Sequence, residues 1–130
     1  MIIGFSSGDF HKLCSDFKER LSHNFIDNFK ANNKANAIEI HCKNNEQINN
    51  LIEENFDLTY FEYISIHMPK ITYTSDKNTY KLLDRIKLIT KKYDIKNIVF
   101  HADNVLDWSI FDQYKTLPIS IENMDDRKDF

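Results

Sequence analysis

Glycine and proline are nearly absent from this chain: Gly4, Gly8, Pro69 and Pro118 are the only ones in 130 residues. Scattered singly, they form neither a flexible linker nor a glycine-rich loop that could cradle phosphate. The usual dinucleotide-binding signatures are therefore excluded, and one domain over residues 1–130 is expected. Cysteine is equally sparse. Cys14 and Cys42 are too few and too far apart for a disulfide framework or a paired-thiolate zinc site, and both read as small buried hydrophobes. Of the 17 basic residues only Arg20, Arg85 and Arg127 are arginines, and the net charge is −3. No global basic field is available to attract a phosphate backbone, so nucleic acid is not the expected partner. No apolar run approaches the roughly 20 residues that span a bilayer. The opening Met1–Phe5 reads directly as a strand, with no basic segment ahead of a long apolar run and no small-residue cleavage site. A cytoplasmic protein without a membrane partner is the expectation.

What the chain does have is an alternation of two periodicities. β-rich runs recur near residues 2–6, 37–42, 62–67, 96–101 and 118–122, and each gap is long enough for a helix. In the first gap Leu13, Phe17, Leu21, Phe25 and Phe29 keep one apolar stripe. The second gap carries Ile48, Leu51, Ile52 and Phe56. The third carries Tyr80, Leu83, Ile86, Ile89 and Tyr93, with Thr74, Ser75 or Asp76 available to cap its start. The fourth is short, around Val105 to Tyr114, and holds Trp108 and Phe111. Strands alternating with helical patterns imply βαβ units and a parallel sheet.

Strand polarity narrows the architecture. Central strands of an open doubly wound sheet lie under helices on both faces and read as nearly continuous apolar runs. Here Ile38, Ile40 and Cys42 alternate with Ala37, Glu39 and His41, Ile64 and Ile66 with Tyr63, Ser65 and His67, Ile98 and Phe100 with Asn97, Val99 and His101, and Ile119 and Ile121 with Ser120 and Glu122. One face suits a helix layer; the other collects polar groups. A parallel (β/α) barrel of the TIM type explains this, because inward residues near the carboxyl ends of its strands form the pocket. About five strands are present, where eight units need roughly 240 residues, so a partial barrel is expected. His67, His101 and Glu122 each end a strand-like segment, and two imidazoles and a carboxylate can fill three corners of a zinc site.

The segments AIEIHC, SIHMP, VFHAD and ISIENMD together resemble the amino-terminal part of the xylose isomerase-like TIM barrels. That superfamily holds sugar phosphate isomerases and epimerases and the endonuclease IV-like AP endonucleases. The pair Glu122 and Asn123 is the most specific of these signals, and His67 to Pro69 the next. In the endonuclease IV-like members histidines ending strands three and four and the glutamate of strand five hold zinc, so by position the resemblance implies His67, His101 and Glu122 as metal ligands. It also implies a divalent cation (Zn, Mn or Mg), a sugar or sugar phosphate as substrate, and Glu122 as the group that exchanges a proton with the sugar. The remaining ligands of the isomerase members lie on strands six to eight, so this chain alone is expected to be incomplete as a catalyst. After Glu122 comes Asn-Met-Asp-Asp rather than the small, glycine-containing turn of the endonucleases, which favours the sugar-active branch or an uncharacterised one.

Glu39 and His41 share the polar face and can serve to orient a ligand or to contact substrate. Tyr60, Phe61 and Tyr63 could form a sugar-stacking wall, although core packing explains them equally well. His11 and His23 read as surface residues, and Lys87, Lys91, Lys92 and Lys96 as a solvated helix end. Two other functions fit the same residues. One is a non-catalytic, metal-binding half-barrel whose open edges are covered by a second copy. The other is an endonuclease IV-like phosphodiesterase fragment, which needs a basic groove that the composition does not suggest.

Overall fold

The computed structural model describes residues 4–6, 17–22, 26–27 and 36–122, with the backbone alone for residues 4–6 and 20. Its strands are β1 (Gly4–Ser6), β2 (Ala37–His41), β3 (Tyr63–His67), β4 (Asn97–His101) and β5 (Ile119–Glu122), and its helices are α1 (Phe17–Arg20), α2 (Asn45–Glu53) and α3 (Lys77–Tyr93). β2 to β5 lie side by side in chain order and are parallel throughout, and the three-residue β1 runs parallel along β2. The α/β class and parallel sheet expected from the alternation are present. Strands that neighbour one another in chain order, joined by crossovers of the usual right hand, carry their connections on a single face.

The two longer helices, α2 and α3, each begin where a side chain can satisfy their first amides. At α2 the Asn44 side chain accepts from the Gln47 backbone amide at 3.0 Å, while the Gln47 side-chain Oε1 accepts from the Lys43 backbone amide at 2.7 Å, a variant of the capping box. At α3 the cap is Asp76, which accepts from the Thr79 amide at 2.8 Å. α3 stops at Asp94, whose left-handed backbone (φ 54°) turns the chain into β4.

Lys92 is more than part of a solvated helix end. Its ammonium donates to the carbonyl oxygens of Leu51, Ile52 and Glu54, and the Tyr93 hydroxyl donates to Glu54 as well, so the end of α3 closes the end of α2.

The core lies between these helices and the aliphatic face of the sheet. Ile40, Ile66, Ile98 and Phe100 are fully buried against Ile48 and Leu51 of α2 and Leu83, Ile86 and Ile89 of α3. Phe17, Leu21 and Ile26 join the same core, and Cys42 is buried within it. Leu13, Cys14, Phe25, Phe29, His11 and His23 lie outside the described residues. No helix among the described residues is long and apolar enough to cross a membrane.

The fourth connection departs from expectation. Instead of an α-helix it holds two 3₁₀ turns, Ala102–Asn104 and Trp108–Gln113. Between them Val105 bridges to Tyr73, with the Tyr73 amide donating to Asn104 and the Leu106 amide to Tyr73, each at 2.9 Å. That extended stitch uses up the length a helix would need. Ile110 and Tyr114 still reach the core, and Trp108 stays 51% exposed.

Candidate metal centre

Register and parity determine what shares the polar face. β2 and β3 pair Glu39 with Ser65 and His41 with His67, and β4 and β5 pair His101 with Glu122. β3 sets His67 level with Val99, so His101 stands one pleat further along the same face. His41, His67, His101 and Glu122 are thus the last residues of four adjacent strands.

Of the residues expected in the site, three bring donor atoms together. One donor atom each from His67, His101 and Glu122 lies within 4.8 Å of the others. His67 Nε2 and Glu122 Oε2 are 3.4 Å apart, close to the edge of a tetrahedron with bonds of about 2.0–2.1 Å, which is roughly 3.3 Å. Both imidazoles are buried, whereas the Glu122 side chain keeps 27% of its surface in water. The group could hold a metal ion while remaining open toward solvent on one side.

The hydrogen bonding of His67 sharpens this. Its Nδ1 faces the Met68 carbonyl oxygen at 3.2 Å. A carbonyl oxygen can only accept, so Nδ1 carries a proton in that bond and Nε2 of a neutral ring turns its lone pair to the Glu122 carboxylate. Two acceptors facing each other require a positive partner between them, either a second proton or a cation. The carbonyl that orients His67 belongs to the main chain; Glu39, the side chain expected to orient a ligand, forms no hydrogen bond or ion pair among the described residues. Tyr73 braces the same loop through its hydroxyl, which donates to the Pro69 carbonyl at 2.6 Å, and its ring stands edge-on to Phe100. Burial pushes the Tyr73 phenol well above its ordinary range, which suits it to donating rather than to acting as a base.

His41 stacks on His67 with ring centroids 4.6 Å apart and 15° between planes, and His67 in turn meets His101 at 4.5 Å. Burial first, then electrostatic repulsion from the neighbouring His67, Lys70, Lys43 and His101, pushes His41 from 6.5 down to about 4. A depressed histidine is neutral in the folded state while the unfolded chain takes up the proton. Its contribution to stability is therefore complete above about pH 6.5 and is lost as the pH falls toward 4. For the metal-free protein a loss on the order of 1 to 2 kcal/mol is expected across that window, after discounting the exposed half of the ring. Urea unfolding at both ends of the window checks this; His41→Gln should flatten the profile, and an unchanged slope in that variant would disprove the assignment.

Tyr60, Phe61 and Tyr63 stand at the opposite end of β3 from His67, with Phe61 inside the core. They form no wall beside the triad. The Met68 carbonyl and Tyr73 were not singled out by sequence reasoning. A main-chain acceptor leaves no residue-type signal, and Tyr73 lies outside any strand or helix pattern.

Compared with protein-family models, with curated protein sequences and with solved structures, the chain matched none of them.

Proposed function

We propose that this chain carries a divalent metal site, zinc in the first instance, on a (β/α) barrel-type unit of the xylose isomerase-like kind, and that the complete site isomerises or epimerises a sugar or sugar phosphate. The observation that carries the proposal is the convergence of His67, His101 and Glu122 from three successive strand ends, with donor atoms within 4.8 Å. Two imidazoles and one carboxylate favour zinc or a neighbouring transition metal over Mg²⁺, which prefers an all-oxygen shell. Three protein ligands leave a fourth corner, the arrangement of catalytic rather than structural zinc. The chain-order parallel sheet, with one aliphatic and one polar face, supports the barrel-type assignment.

A bound cation would supply polarisation of substrate carbonyl and hydroxyl oxygens. Glu122, at the solvent-open side, can accept a proton from the carbon beside that carbonyl and return it to the neighbouring carbon on the same face, as isomerisation requires; epimerisation needs a second acid on the opposite face. His41, beside His67, can hydrogen-bond a substrate hydroxyl.

The test is solvent deuterium incorporation beside the carbonyl of a panel of aldoses, ketoses and their phosphates, using protein loaded with Zn²⁺, Mn²⁺ or Mg²⁺. Incorporation that disappears in Glu122→Gln supports the proposal. Because this chain alone is expected to be incomplete as a catalyst, net conversion is not required of it; a protein that binds metal stoichiometrically yet exchanges no proton with any member of the panel would refute Glu122 as the proton-exchanging group and leave the metal site standing.

One observation favours a second function, self-association of the unit. Ile121 is 38% exposed, whereas Ile66 and Ile98 on the same face are fully buried, and among the described residues β5 pairs only with β4. Two copies related by a two-fold axis could cover this edge. Light scattering should then report a dimer that Ile121→Lys dissociates; a monomer at all concentrations would exclude it.

A further inference from the structure

We propose that the helix layer holds a second site, separate from the metal triad, that binds the phosphate group of a small phosphorylated molecule between the first turns of α2 and α3. A cavity of about 430 Å³ lies there, with polar walls from Asn45, Thr72, Asn78, Thr79, Lys81 and Arg85. Cavities of roughly 300 to 1,000 Å³ are the usual size for small organic ligands, so this one has room for the body of a molecule as well as its phosphate. Ile71 and Leu82 offer that body an apolar wall.

The charges converging on the cavity point to an anion. Lys81 and Arg85 are four residues apart on α3 and so share one helix face. Neither side chain makes an ion pair or hydrogen bond with any described residue. For Arg85 this is notable because the residue is half-buried, and a guanidinium removed from water ordinarily finds acceptors for its five donors. Asp76 is the one acid on the lining, and its carboxylate accepts the Thr79 amide as the helix cap. Two cations therefore face a single acid, which leaves the lining net positive. Asn45 and Asn78 stand in the first turns of their helices, where amides lack partners within the helix and the positive dipole ends lie. The planar fork of Arg85 can hold two phosphate oxygens at once, with Lys81 as a second point charge.

None of these groups comes from the polar face of the sheet, so the inference does not rest on the metal site. Ile71 and Thr72 belong to the loop that follows His67, and they place the cavity at the carboxyl end of β3.

Titration of ¹⁵N-labelled protein with inorganic phosphate and with glycerol 3-phosphate, in chelator and at constant ionic strength, is the test. Saturable shifts at Asn45, Asn78 and Arg85 are expected, with glycerol 3-phosphate binding more tightly. The pair Lys81→Gln and Arg85→Gln should weaken binding roughly tenfold or more, the worth of one lost charge-assisted hydrogen bond. Lys87→Gln with Lys91→Gln removes the same charge elsewhere on α3 and should change affinity by about twofold at most. Arg85→Lys, which keeps the charge and loses the fork, should fall between them. His101→Ala should bind phosphate as the wild type does. Equal affinity in the Lys81 and Arg85 variants, shifts reproduced by chloride, or shifts centred on His67 and Glu122 would overturn the site. Glycerol 3-phosphate binding no tighter than inorganic phosphate would overturn the organic ligand.

Discussion

Replacing His101 with alanine is expected to abolish stoichiometric zinc binding by a protein that otherwise remains folded. Zinc affinity rests on the number of neutral imidazoles and carboxylates that reach the ion together, and the three-residue group has no redundancy among the described residues. Removing an outer partner of a metal ligand already weakens binding by about 10- to 100-fold, so loss of a ligand itself should exceed roughly 100-fold. His67→Ala should behave alike, and Glu122→Gln should weaken binding by removing the only negative charge of the group. Two controls separate ligation from general damage. His41→Ala removes a ring stacked on His67 but contributes no atom to the ligand group, and Glu39→Gln changes a residue one pleat below it. Both should retain one zinc per chain by elemental analysis after dialysis. Equal metal content in wild type and the three ligand variants would eliminate the site.

The triad was legible because two periodicities agree. Alternation in β2 to β5 put Ile64, Ile66, Ile98 and Phe100 on one face and His67 and His101 on the other, and a parallel sheet keeps that parity in register from strand to strand. The third helix was equally open to inspection, since its apolar positions repeat and Asp76 is a strong cap. What escaped sequence reasoning depends on partners distant in the chain. Lys92 looks like any exposed lysine until the end of α2 arrives beside it with three carbonyls. Tyr73 has no periodic neighbours; its importance comes from meeting Asn104, Leu106 and Pro69 at once. The fourth connection held enough apolar residues to suggest a helix, but its pairing with Tyr73 leaves room only for 3₁₀ turns. Local pattern determines which face a residue takes, while loop geometry waits on tertiary contacts.

Phe100→Ala should be the most destabilising of these substitutions, although it lies beside His101, whose loss should chiefly affect metal. The two residues adjoin on β4 and point to opposite faces. Phe100 is fully buried and meets Tyr73 and Phe111 edge-on, each at 5.0 Å between ring centroids. Truncating such a ring removes its burial and leaves a void, at a typical cost of about 3 to 5 kcal/mol, and the two aromatic contacts place this position toward the upper end. Domains are commonly stable by only about 5 to 15 kcal/mol, so a large share of the folding free energy would go. The damage should also travel. Tyr73 rests on Phe100 and ties the loop carrying the Met68 carbonyl to residues 104–106, so zinc affinity should fall secondarily, whereas Phe100→Leu should recover most of both properties. Urea unfolding followed by the fluorescence of Trp108, the single tryptophan of the chain, can measure the effect, because that ring lies 6.3 Å from Phe111. If Phe100→Ala stays within about 1 kcal/mol of wild type, a change too small for a core cavity, or if His101→Ala unfolds more readily, then the division of β4 into a structural face and a chemical face is wrong.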